Sequence, residues 1–451
     1  MTAVASSLEM PATPGATEDD RVLPGGWYTL FAMMIIVLFA FVDRQLLILA
    51  AQPLSESLSL TDSQLGLIQG LAFSIFSVVA VYPIAWLADR YDRRLILGAC
   101  LVLWSFGTVG CGLAQNFWQL FIAAVAIASG EAALGPLAMA FVPDLFKGRK
   151  RVLANSIQYI FTYIGASLAM GMGGSALGVL DRAHAGMPSA FQHLESWRLA
   201  FLLVCLPTPL LLMLLARTRL GKTNNVADTA APSAPPVPIA GFLREHRAAF
   251  LSILGGLGFY MLAYGGFMVW LPLIGSRLFG ATPEINGYGM GLSSAVGTCF
   301  GVATGTLLMR FYMPRLGTRA AVGVSWRLLL LTCPVLAIFP FVQSVTQLYI
   351  CMGVMMLAGT GVGCLVATTL QVMAPAHFMA RFFGIWSIIS ALLSGASPSI
   401  AGFVSDAIGG QRGLLYAVVL VAACGWLAAI VLLRLGERHF EDLVKSVKEA
   451  A

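Results

Sequence analysis

The chain has 451 residues, 58% hydrophobic and 11% charged, with a mean hydropathy of +0.84. A soluble domain carries about 25% charged residues, so a soluble globular fold is excluded, and the length suits about twelve apolar helices of ~20 residues with their loops. The net charge of +6 is not a nucleic-acid footprint, because the basic residues gather in short loops between apolar runs.

The start is polar, with Glu18-Asp19-Asp20, and no cleavable signal peptide is expected. Residues 1–26 are expected to form a disordered cytoplasmic tail. Apolar helical runs follow at 27–52, 63–89, 95–114, 117–143, 152–180 and 197–217, then at 247–276, 286–310, 319–340, 345–373, 380–405 and 412–435. Between the two sets, 218–246 contains Ala-Pro-Ser-Ala-Pro-Pro-Val-Pro and reads as a cytoplasmic Pro-rich linker. The fold class is therefore all-α: twelve transmembrane helices in two six-helix bundles, 27–217 and 247–435, with a cytoplasmic tail at 436–451.

Orientation follows from the 27 Lys and Arg residues. With the N-terminus inside, only Arg182, Arg198, Arg277 and Arg412 fall outside, and Arg44 and Arg327 lie within runs. The others collect on the cytoplasmic side, so both termini are expected there. The eight cysteines are scattered through apolar runs without metal-binding spacing, and the five histidines sit in loops or at run ends. No metal, cofactor or nucleophile–base set is indicated, which argues against a membrane enzyme. Small-residue runs such as Gly165 to Gly174 and Gly359-Thr-Gly361-Val-Gly363 let helices approach closely.

The first run contains Phe41-Val42-Asp43-Arg44-Gln45. A charge at the centre of a membrane helix costs about 2.5–3.5 kcal/mol even on the lenient insertion scale, so a partner or a water-filled cavity is required. Glu131, in Ser129-Gly130-Glu131-Ala132, is a second intramembrane acid. Both acids fall near the middle of their runs, the depth at which transporters place substrate and ion sites. Burial favours a carboxyl's protonated form and a nearby guanidinium its ionised form. Asp43 and Glu131 thus read as a proton switch, with Arg44 resting on one of them until an acid is protonated. Arg44 is then free to bind an anionic head group bidentately. Arg327, near its run's cytoplasmic end, reads as a snorkelling residue. Tyr163, Tyr264 and Trp270, in the middles of inner runs, are candidates for the substrate wall.

Ala85-Trp86-Leu87-Ala88-Asp89-Arg90-Tyr91-Asp92-Arg93-Arg94 resembles the major facilitator superfamily loop Gly-x-Leu-Ala-Asp-Arg-x-Gly-Arg-Arg, with Ala85 and Asp92 replacing two glycines. The resemblance implies that Asp89 sits against the N-terminus of the eleventh helix and that Arg93 pairs with Asp144 in Val142-Pro143-Asp144-Leu145-Phe146, the three forming a cytoplasmic gate. Gly305 to Phe311 is a degraded echo with Met309 at the acid's position. Trp197-Arg198-Leu199-Ala200-Phe201 is similar to the start of the sixth helix in many relatives. Within the superfamily the first half resembles the spinster-like branch, linked to sphingolipid and lysophospholipid transport. That likeness rests on Phe41-Val42-Asp43-Arg44, Ser63 to Gln69, Gly130-Glu131-Ala132 and Pro143-Asp144-Leu145-Phe146. Ala124 replaces the arginine that the branch commonly carries seven residues before the glutamate, leaving Arg44 as the one cation expected near Glu131.

The resemblance implies a monomeric, proton-coupled secondary active transporter in the plasma membrane, or the inner membrane of a bacterium. Its partners would be protons, the bilayer and an amphipathic lipid-like substrate, with no nucleic acid. A small polar solute, such as an organic acid or sugar, is the alternative cargo.

Overall fold

A computed structural model describes residues 21–132, 134, 141–219, 244, 246–373 and 379–449. The side chains of Asp89, Tyr159, Tyr163, Ala190, Phe191, Met379, Ala380, Arg381 and residues 445–449 are outside that description. The expected N-terminal tail up to residue 20, and the linker from 220 to 243, lie outside the described residues.

A lipid environment offers no hydrogen bonds to a bare backbone, so apolar runs must close their own as helices. Among the described residues the chain is helical, apart from turns and one antiparallel bridge between Val22 and Phe146. The long helices of the first half are α1 Gly26–Leu49, α2 Asp62–Ala88, α3 Arg93–Leu113, α4 Phe117–Glu131, α5 Gly148–Ala183 and α6 Ser196–Ala216. Those of the second half are α7 Arg247–Phe279, α8 Pro283–Leu316, α9 Ala320–Leu329, α10 Val345–Met373, α11 Met379–Ile408 and α12 Gly413–Glu449. Ten described helical stretches are long and apolar enough to cross a membrane, the stretch Pro283–Phe341 running over α8, α9 and the short helix Thr332–Ile338. Phe117–Glu131 is a shorter apolar helix.

Local chemistry sets the helix starts. The Asp92 carboxylate accepts the Arg94 backbone N–H at 2.8 Å, and the Asn116 side chain accepts that of Gln119 at 3.0 Å. Thr61 and Gln64 form a reciprocal capping box, and Thr282 caps α8. Breaks also have local causes. Pro83, Pro272, Pro314 and Pro398 lie inside helices, Pro207 interrupts α6, and α2 carries a π-helical turn at Leu67–Ala72. The last helix does not stop at residue 435. Phe440, Leu443 and Val444 extend a buried stripe at helical spacing, and the helix continues to Glu449.

The two halves meet through α2 against α11 and α5 against α8. Glycine makes these contacts possible. A Cβ on Gly70 would stand 2.3 Å from the Gly395 carbonyl oxygen, and one on Gly174 would stand 2.9 Å from the Gly287 Cα. The hydrogen bonds that join the halves involve residues 62–71 with 399–406 and 167–182 with 284–294, together with Arg277. All belong to the end of the molecule away from the chain termini. Toward the termini, α2 exposes Val79, Tyr82 and Trp86, α5 exposes Ile160 and Ile164, and α11 exposes Ile385 and Ile388. The seam is thus closed at the far end.

Candidate functional site

Asp43 and Arg44 are adjacent on α1, so their side chains leave the helix about 100° apart and do not face each other. Asp43 turns into the first half and is 1% exposed. Its Oδ2 accepts hydrogen bonds from the indole Nε1 of Trp104 and the hydroxyl of Thr108, both on α3, while its Oδ1 is enclosed without a hydrogen-bond partner. Arg44 turns toward α2 and is exposed, its guanidinium 4.3 Å from the centre of the Phe73 ring.

Glu131, the last residue of α4, is half-buried, with Oε1 enclosed and without a hydrogen-bond partner. It lies in electrostatic range of both Asp43 and Arg44. Close packing of α3 and α4 puts it there: Gly130 abuts Trp104, and Gly107 abuts Ala123 and Ile127. The fold therefore brings the three charges near one another, but not as the contact pair expected from sequence. Among the described residues Arg44 forms no ion pair with either acid. It is paired with an aromatic face, which attracts a cation without neutralising it.

Placement of the remaining candidates varies. Arg93 on α3 pairs with Asp144 at 3.0 Å, with the arginine side chain 11% exposed and the aspartate 57%. The side chains of Asp89 and Tyr163 lie outside the described residues, although both positions are helical. Tyr264 is half-buried on α7, beside Tyr260, and its hydroxyl meets the Met356 sulfur at 2.8 Å. Trp270 does not line a wall in this conformation. It is 0% exposed, and its Nε1 donates to the Pro398 carbonyl at 3.1 Å, which ties α7 to α11. A buried tryptophan with a backbone carbonyl in reach satisfies its N–H inside the protein. Arg327 lies over Trp326 and reaches Glu437 on α12 at 3.8 Å, so an acid accompanies the arginine that was expected to snorkel.

Sequence reading missed two sets of residues. Trp104 and Thr108 looked like ordinary members of an apolar run, although their i, i+4 spacing places both polar groups on one face of α3. The other set fastens the far end. Asp62 pairs with Arg277 of α7 at 2.7 Å and accepts the Ser405 hydroxyl of α11 at 2.6 Å. The Asp406 carboxylate accepts the backbone N–H groups of Asp62 at 3.1 Å and Ser63 at 2.9 Å, capping α2 from across the seam. Arg182 pairs with Glu284 between α5 and α8. From sequence, these arginines registered only as loop charges that set topology.

Residues 33–398 match the family model of the Major Facilitator Superfamily. The chain is 25% identical to an MFS-type efflux pump of Mycolicibacterium smegmatis, over 97% of its own length and all of that protein. It is 30% identical to protein spinster homolog 3 of Danio rerio, over 35% of this chain and 32% of that protein. Among solved structures, a bacterial homolog of the human lysosomal transporter Spinster, in an inward-facing and unoccupied conformation, superposes with a TM-score of 0.74. That match covers 94% of this chain and 98% of the other at 23% identity, a likeness of fold.

Proposed function

The chain belongs to the Major Facilitator Superfamily, and from that premise we propose that it moves an amphipathic, lipid-like anion across the membrane by proton-coupled alternating access. It is a multi-pass membrane transporter. In the proposed topology, Pro283–Phe341 supplies two spans and Phe117–Glu131 the described part of another, making twelve, with both termini cytoplasmic. The far end is then the outer face, and the described conformation is inward-open.

The observation that carries the cargo assignment is Arg44: a mid-membrane guanidinium that is exposed, stacked on Phe73 and in no ion pair with a described residue. A guanidinium without an ion-pair contact in an apolar setting is a receptor for a phosphate or carboxylate head. Its apolar surroundings suit a hydrocarbon tail. Likeness to the spinster homologues, the branch that the residues around Asp43 and Glu131 resemble, supports the same class. Asp43 and Glu131 then serve as proton sites whose occupancy alters the field at Arg44. The proposed gate is Asp89, Arg93 and Asp144 on the cytoplasmic side.

The test is binding to the purified protein across lysophospholipids of increasing chain length at one head group, beside sugars and organic acids. Tail burial at about 0.8 kcal/mol per CH₂ predicts affinity that climbs with length. Affinity indifferent to length, with binding of a small acid or sugar, favours the polar-solute reading.

A further inference from the structure

We infer that Trp104 and Thr108 are positioning residues for proton coupling: they orient the Asp43 carboxylate on α1 and link it to the part of α4 that carries Glu131. The inference rests on the proposed role of the two acids. Its first support is the asymmetry of the Asp43 carboxylate. One oxygen takes both donors, and the other is enclosed and bare. A polar bridge whose only purpose was to join helices would spread its donors over both oxygens, because a buried, unpaired polar atom is costly. Two donors on Oδ2 instead fix the plane of the group and leave Oδ1 as the atom that takes a proton.

Thr108 adds a second element. Its hydroxyl has one proton and two acceptors in reach, the Asp43 Oδ2 and, at 3.2 Å, the Trp104 carbonyl oxygen one turn earlier. When Asp43 is ionised the hydroxyl proton belongs on Oδ2. When a proton binds Oδ1 the carboxyl is neutral, and the hydroxyl is free to turn to the carbonyl. No bond other than O–H at Oδ1 is made, and the proton is supplied by the medium.

The third support is the route to α4. A Cβ on Gly130 would stand 2.6 Å from the Trp104 Cβ and 2.7 Å from its backbone nitrogen, so α3 and α4 touch at this residue pair. Glu131 is the next residue. The tryptophan that holds Asp43 through its indole therefore packs through its backbone against the neighbour of the second acid. Among the described residues, Glu131 on α4, Cys111 on α3 and Cys205 on α6 are in electrostatic range of Asp43, and Arg44 follows it on α1. The two thiols are ordinarily neutral and the guanidinium charged at neutral pH, so among these groups Glu131 is the one that shares a charge change with Asp43. Gly173 of α5, which packs beside Leu46 and Val42, brings no charge.

The experiment follows the Asp43 carboxyl stretch by infrared difference spectroscopy, wild type minus Asp43→Asn, on the full chain in lipid nanodiscs between pH 4 and 10. Thr108→Val is nearly isosteric and removes one donor, Trp104→Phe keeps the ring and removes the other, and Thr108→Ser keeps the donor. Losing a donor to the ionised form should move the Asp43 titration midpoint up by about one pH unit in the first two variants. Thr108→Ser should titrate like wild type. Unchanged midpoints in both Thr108→Val and Trp104→Phe, or no titrating Asp43 band in the wild type, overturn the inference. Because the readout needs no substrate, it is independent of gradient-driven transport by Asp43→Asn, whose full activity would overturn the coupling proposal instead.

Discussion

At the scale of single residues, the environments of the two acids separate their expected behaviour. Asp43 is enclosed, and asparagine retains an oxygen to accept from Trp104 and Thr108, so Asp43→Asn should fold. Glu131 is half-buried and in range of Arg44. Transport driven by a pH gradient should vanish in both Asp43→Asn and Glu131→Gln, while exchange without a gradient persists in at least one. Proteoliposome assays of the two modes check this, and full gradient-driven activity in both variants would remove the coupling role. Arg44→Ala should weaken anionic-headed substrates first, by about ten- to a hundredfold for the loss of charge-assisted hydrogen bonds, with neutral-headed analogues less affected. The three charges were legible because an ionised group in an apolar run stands out against its cost. Their partners were not. Which face of α3 meets α1 is decided by glycine-mediated packing between helices, and Phe73, Trp104 and Thr108 have the composition of any core. Trp270 illustrates the converse. It was expected in the middle of its run but lies in the last third of α7, and the Pro398 carbonyl that satisfies its indole belongs to another helix.

At the scale of helices, Thr61, Asp92, Asn116 and Thr282 cap starts that fall within three residues of the expected runs, since a cap needs only neighbours in sequence. The far-end fastening is different, because Asp62 and Arg277 are joined across 215 positions of chain. Exposed ion pairs contribute little, but the Asp62 side chain is 9% exposed and also takes the Ser405 hydroxyl. Hydrogen bonds to charged groups contribute about 1.5–3 kcal/mol each. Arg277→Gln should therefore shift population toward a conformation open at the far end, and Asp406→Asn, which weakens the cap on α2, should do the same. Distances between spin labels on the far ends of α2 and α11 would lengthen in both variants. Distributions identical to wild type would reduce this network to surface decoration. Gly287→Val should act more strongly, since a Cβ there would lie 2.8 Å from the Gly174 Cα. Backbone at that distance cannot yield as a side chain does.

At the scale of the whole molecule, alternating access requires the two ends to exchange contacts. The far end is held by close glycine contacts and the Asp62, Asp406 and Arg277 network. The opposite end carries the loop from Asp89 to Arg94 and the Arg93–Asp144 pair within the first half. In the proposed cycle this loop docks on the start of α11 when the far end opens. Asp89→Asn should then favour the far-end-closed state, whereas Arg277→Gln should favour the far-end-open state. Effects of distant substitutions add to within about 0.3–0.5 kcal/mol. The double variant should consequently return the population ratio toward wild type, with label distances at both ends moving together. A double variant that behaves like either single one would mean that one end alone sets the conformational balance. The two ends would then not be opposing latches of one rocking motion.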